Sequence, residues 1–216
     1  MDKIKNFFAH GIGRVIKWAF FILLAAYIVI VLVRVFQMFD ADETEAQVAK
    51  IHATKLELSD VTGENLPPDP GALADETLAG VDANKNGIRD DVELAIFEAY
   101  PNSAKTRAAL LQYALALQMQ FTQPKINTIV VDKVIGEQSR ARFCIADSLV
   151  PRKTPESERT DTDMEKIDNF INLVDDKQLN TEGRKSSQEE FYRYLGNFAN
   201  SDKEDVCDID LETLPN

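Results

Sequence analysis

Read for apolar and polar positions, the chain changes character near residue 36. Trp18 to Val33 is an unbroken apolar run of sixteen residues, and Val15 to Phe36 extends it to twenty-two. The extension requires Lys17 and Arg34 to lay their stems along the apolar surface and keep their charges in water. At about 1.5 Å per helical residue, such a segment crosses a hydrocarbon core of about 30 Å. Eleven of the sixteen are Leu, Ile, Phe or Val, which favours insertion by at most roughly 3–6 kcal/mol. Beyond the run, apolar residues recur at helical spacing, separated by proline and glycine breaks.

Asp40 to Leu58 is polar and helix-compatible, reading as a stalk, and Gly63 to Gly71 is a proline-rich connector. A short helix over Ala72–Leu78 is expected next. Val92, Ile96 and Ala99 then repeat at helical spacing up to Pro101. Ser103 is placed to cap a helix whose rows are Ala104, Ala108, Leu111, Leu115, Met119 and Leu110, Ala114, Leu117, Phe121. After Pro124, the positions Ile126, Val130, Val134, Ala141, Ile145 and Leu149 line a third helix, weakened at Gly136. Met164, Ile167, Ile171 and Val174 predict a fourth. Ser186 to Glu189 reads as a capping box opening a fifth, with Phe191, Tyr194, Leu195 and Phe198 inside. These rows are read as core rather than as a ligand groove. No strand run and no internal repeat is evident.

The expected architecture is all-α: one N-terminal transmembrane helix, then a small domain of about five helices. Residues 1–14 form a short cytoplasmic segment, 15–36 the anchor, 37–71 the stalk and connector, and 72–216 the extracytoplasmic domain.

Charge gives this arrangement a direction. Residues 1–36 carry five cations against Asp2, a net of +4, so the other 180 residues hold −16 of the total of −12. Four of those cations precede the run, which keeps the amino terminus in the cytoplasm and the acidic body outside. Such a body lacks the basic footprint of a nucleic-acid binder. A cleaved signal peptide is the rival reading, but Val33 to Phe39 offers no small-x-small site and no cysteine follows closely. A buried helix of a soluble domain fits the length and the charged flanks poorly. No Asn-x-Ser/Thr site occurs, which leans towards a bacterial inner membrane with the body in the periplasm or outside the cell.

Within the body, Asp82 to Glu93 concentrates the candidate chemistry. Oxygen-bearing residues fall at positions 1, 3, 5, 9 and 12 of the stretch, with Gly87 at position 6. Ca²⁺ takes six to eight hard oxygens from one tightly wrapped turn, and this is the spacing that supplies them. Asp82, Asn84 and Asn86 would offer side-chain oxygens, Ile88 its carbonyl, Asp90 a direct or water-bridged contact, and Glu93 a bidentate clamp. Arg89 stands where paired calcium loops carry an aliphatic anchor, and no second loop occurs. A metal-free Asn/Gly turn capping a helix is the alternative. The stretch resembles the isolated EF-hand-like loops of bacterial extracytoplasmic proteins. Leu66 to Glu93 more widely is similar to a pattern in uncharacterised secreted or lipid-anchored bacterial proteins; the resemblance covers about an eighth of the chain and implies no activity. Three anionic ligands, with Lys85 and Arg89 inside the loop, imply modest affinity, roughly 10⁻⁵ to 10⁻³ M, and a structural clamp rather than a sensor.

Cys144 and Cys207 are the only cysteines, and outside the cytoplasm an even count reads as a disulfide. Two buried thiols are the alternative. The search for catalytic groups is thin. His10 and His52 are the only histidines, so the body cannot assemble a Ser-His-Asp or Cys-His arrangement, nor a zinc site of the usual type. His52, in the stalk, reads as a surface residue. Paired carboxylates remain the one acid-base option. The leading expectation is therefore a single-pass envelope protein whose calcium-clamped domain binds a protein partner or acts as a scaffold. An envelope hydrolase using two facing carboxylates is one alternative. The other is an accessory subunit acting through its span, where Ala25, Ala26 and Tyr27 provide a small-residue face.

Overall fold

The computed structural model describes residues 2–124, 126–154, 157–196 and 206–215, with side chains from residue 14 onward except residue 36. It is all-helical, with seven helices and no strand among the described residues. The chain divides into two compact units, 1–46 and 47–216.

The first unit is helical throughout its described length, as part of α1 (Asp2–Ala53). Every described side chain from Arg14 to Glu43 is exposed, including Trp18, Phe20, Leu23 and Ile30. By length and composition this helix is long and apolar enough to cross a membrane, with a mean hydropathy of 2.8 over its most apolar window.

The second unit contains the last turns of α1, then α2 (Leu58–Thr62), a 3₁₀ turn (Gly71–Asp75) and α3 (Asp90–Ala99). There follow α4 (Ala104–Thr122), α5 (Thr128–Leu149), α6 (Asp161–Gln178), α7 (Glu182–Tyr192) and a closing 3₁₀ turn (Leu211–Thr213). The five helices α3 to α7 match the number expected from periodicity. The start of the unit does not match. Ile51, Leu56 and Val61 are core residues, so the compact body begins at Gln47 rather than at residue 72. Their five-residue spacing fits no single helix, because the chain leaves α1 at Ala53 and re-enters a helix at Leu58. That is why the segment reads as polar stalk. The short helix expected at Ala72–Leu78 is instead the 3₁₀ turn, with glycine at its first position and Gly80 ending the segment.

Helix α4 is the hub. Ser103 caps it as its sequence suggests, accepting from the Thr106 amide at 3.1 Å. Beyond the two apolar rows, Gln112, Gln118 and Gln120 are also buried, so α4 is surrounded on all sides. With one exception among the described residues, the Gln120 Nε2, the polar atoms of these amides find partners in the interior. Gln112 binds the Val206 carbonyl and the Asp208 amide, Gln118 the Ala79 carbonyl, and Gln120 meets Gln188. Asn127 caps α5, and a reciprocal Thr160–Asp163 capping box opens α6. For α7 the cap is Thr181, not Ser186; the Ser186–Glu189 stretch lies inside the helix, whose real start is set by the earlier Thr181. Phe191 is buried, but Tyr194 and Leu195 lie past the helix end and are exposed, and Phe198 falls outside the described residues.

Cys144, fully buried on α5, stands with its sulfur 2.09 Å from that of Cys207, a disulfide joining Cα atoms 5.0 Å apart. It fastens the 206–215 segment, which then runs over α4 with Leu211 in the core.

Candidate metal centre

The Asp82–Glu93 loop is built from its own side chains folding back on its backbone. Both Asp82 carboxylate oxygens accept amides, from Asn86 at 3.1 Å and Gly87 at 3.0 Å. Asn86 Oδ1 accepts the Ile88 amide at 2.9 Å. The neck closes through Asp90, whose amide binds the Val81 carbonyl at 2.9 Å and whose carboxylate accepts the Ala83 amide. At the bend, Gly87 has φ +85°, which favours glycine, and a Cβ there would lie 2.8 Å from Leu115 Cδ1 on α4, so any side chain would also have to displace that methyl. Lys85, exposed, also takes a positive φ of 61°.

Glu93 is the unusual group. It is fully buried on the first turn of α3. One carboxylate oxygen accepts the side-chain amides of Asn84 and Asn86, each at 3.1 Å, while the other, Oε1, is buried without any hydrogen-bond partner. Burial pushes its carboxyl up to about 7 against the amide hydrogen bonds, and repulsion from Asp60 and Asp90 adds to the rise. Asp90 is raised as well, again chiefly by burial. Among the described residues, no three acidic, histidine or cysteine side chains alone stand close enough to hold a metal ion. Three of the proposed ligand residues, Asn84, Asn86 and Glu93, are in direct contact. Asp82 and Asp90 are turned onto loop amides, and Ile88 is wholly buried in the core.

Ile88 supplies the apolar anchor, one position earlier than in paired calcium loops. This frees Arg89 for another task. Its guanidinium is fully buried, pairs with Asp91, and donates to the Lys177 and Gln178 carbonyls at the end of α6. A cation there satisfies the last carbonyls of the helix and opposes its dipole. Arg89 therefore directs its charge out of the loop, and sequence position alone gave no sign of that.

Two more buried arginines hold the surroundings. Arg184 donates to the Ala74, Thr77 and Leu78 carbonyls and to Asp75 and Asn180, fixing the 71–80 segment that leads into the loop. The Arg184 guanidinium and Asn180 hold the Asp75 carboxyl below its ordinary range. Arg107 donates to the Val61, Tyr100 and Pro101 carbonyls and lies 4.7 Å over the Phe97 ring.

A second charged cluster lies by the disulfide. Arg140 joins Glu137 and Asp208, Lys55 reaches both, and His52 Nδ1 lies 3.3 Å from Glu137. Burial would raise Glu137, but Arg140 and Lys55 outweigh it and hold the carboxyl below its usual value. His52 is thus exposed, as a surface residue should be, but it lies on the helical unit beside Glu137 rather than on a separate stalk. With every carboxylate matched to a cation, this cluster is built to fasten chain segments.

No protein-family model matches the chain, and neither the curated proteins nor the solved structures contain a significant match.

Proposed function

We propose that this chain is a single-pass envelope protein whose helical unit is clamped by Ca²⁺ at Asp82–Glu93 and serves in protein interaction or scaffolding. The single observation that carries the calcium reading is Glu93. A carboxylate buried with one oxygen on two asparagine amides and the other on nothing is a costly arrangement in a folded chain. A hard cation would remove the cost by taking the orphaned oxygen, with Asn84 and Asn86 turning toward it the amide oxygens that now accept from the Asn86 and Ile88 backbone amides. Asp82, Asn84, Asn86, the Ile88 carbonyl, Asp90 and Glu93 are the groups that would hold it.

Ion binding of this kind would supply stability rather than chemistry, about 2.7 kcal/mol at a hundredfold excess over the dissociation constant. The exposed apolar helix supports the anchor, and the cysteine pair at bonding distance supports an oxidising compartment for the body.

The test is thermal unfolding of the full chain in detergent micelles, titrated with calcium and compared with chelator. The expected result is a midpoint that rises in the parent and stays fixed in Asp82→Ala and Glu93→Ala. An unchanged midpoint in all three reduces the loop to a metal-free turn. Carbonate extraction of membranes, with protease added from outside, tests the anchor. Retention of a protected amino-terminal fragment supports it, and release of the intact chain refutes it.

A further inference from the structure

Resting on the calcium reading, a segment outside the loop bears on the same site. The Asn84 side-chain amide donates to two oxygens, Glu93 Oε2 at 3.1 Å and the main-chain carbonyl of Asn65 at 2.8 Å. Asn65 lies nineteen positions earlier, in the connector that leaves α2 through Gly63. The connector is confined there. Gly63 has φ +81°, and a Cβ on it would lie 3.0 Å from Phe97 Cε1. Phe97 stands one turn after Glu93 on the same face of α3. A carboxylate oxygen of the candidate clamp and a connector carbonyl are thus bridged by a single nitrogen atom.

We infer that the Asn65 carbonyl is a cation ligand supplied from outside the loop, so that a bound Ca²⁺ fastens the connector to α3. To offer its oxygen to an ion beside Glu93, Asn84 has to turn its amide over. That withdraws the donor shared by Asn65 and Glu93 and sets its own oxygen against theirs. A hard cation is the group that draws such oxygens together, and main-chain carbonyls are among the ligands Ca²⁺ accepts. A shell of six to eight oxygens has room for one from the connector, because the Asp90 carboxylate is held at the neck by the Ala83 amide. The unpartnered, buried Oε1 of Glu93 is the independent mark of a ligand at this carboxylate.

Asn84→Asp separates coordination from hydrogen bonding, since it keeps an oxygen for the ion and removes the donor to Asn65. The isotope-labelled full chain in detergent micelles is followed by nuclear magnetic resonance, with calcium and with chelator. A metal ion on a carbonyl draws electron density from the peptide nitrogen that follows it and moves that nitrogen downfield. Calcium is therefore expected to move Leu66, after Asn65, downfield in Asn84→Asp, with the same sign and similar size as Arg89, after Ile88. In the parent Leu66 is expected to keep or increase its downfield position, because the ion replaces the lost donor.

A calcium shift at Arg89 without one at Leu66 in Asn84→Asp would make Asn65 a hydrogen-bond partner only. An upfield move of Leu66 in the loaded parent would mean that the connector is released instead. Either overturns the inference while leaving the calcium reading intact. A parent in which calcium shifts neither nitrogen removes both.

Discussion

Arg89 crosses directly in front of Gly80. A Cβ built on Gly80 would lie 2.8 Å from Arg89 Cγ and 3.0 Å from the Ala74 carbonyl, and the glycine itself has φ +69°. The buried arginine cannot withdraw, since its guanidinium is fastened to Asp91 and to the end of α6. Gly80→Ala is therefore expected to destabilise the protein by about 3 kcal/mol, combining left-handed strain with overpacking. Chemical denaturation of the variant in chelator checks this, and a loss below about 1 kcal/mol would contradict it.

The raised Glu93 carboxyl makes the protein without bound metal pH-sensitive in a defined direction. Between its ordinary value of 4.5 and about 7, folded Glu93 keeps a proton that the unfolded chain has released. Its contribution is therefore fully present below 4.5 and lost as pH rises through 7, a fall of up to about 3 kcal/mol. Urea midpoints measured in chelator from pH 4.5 to 8 should fall by this extra amount in the parent relative to Glu93→Gln. Equal slopes in the two proteins would refute the assignment.

How much of this was legible beforehand differs from one residue to the next. The periodic rows of α4 and α5, the Ser103 cap and the Cys144–Cys207 pair follow from spacing, because each is a local pattern or a count. The Asp82–Glu93 spacing is a local pattern of the same kind, and the fold brings Asn84 and Asn86 onto Glu93. Arg89, Arg107 and Arg184 were not, since a buried arginine is defined by carbonyls far away in sequence, such as Lys177 and Val61. Ile51 and Leu56 were hidden by their isolation among polar neighbours.

Reducing the disulfide should lower stability by about 4 kcal/mol in the chain-entropy description of the loop closed between Cys144 and Cys207. Denaturant midpoints of oxidised and reduced protein test it. The 206–215 segment should then exchange amide hydrogens faster, most clearly at Asp208, whose amide is bound to Gln112.

Arg184→Met preserves much of the apolar stem and removes the donors to Ala74, Thr77 and Leu78. With buried carbonyls left unpaired at about 1–3 kcal/mol each, a loss of at least 3 kcal/mol is expected. Any gain in stability that the proposed calcium site gives should shrink in parallel, because the 71–80 segment leads into the loop. A variant that melts like the parent would show that the segment holds without the arginine.

The ties around Asp208 have a mechanical consequence. Its carboxylate accepts the Leu56 amide at 3.0 Å, and the adjacent Cys207 is bonded to α5. Tension applied between Gln47 and the carboxy-terminal end would load Leu56 and Asp208 first. When the body gives way, the chain closed between Cys144 and Cys207, 63 positions apart, cannot pay out. At roughly 3.4 Å per extended residue, forced extension of the oxidised protein would stop about 210 Å short of the reduced one. A body pulled from its amino-terminal end would thus keep α6 and α7 within a tethered ring that force cannot draw straight.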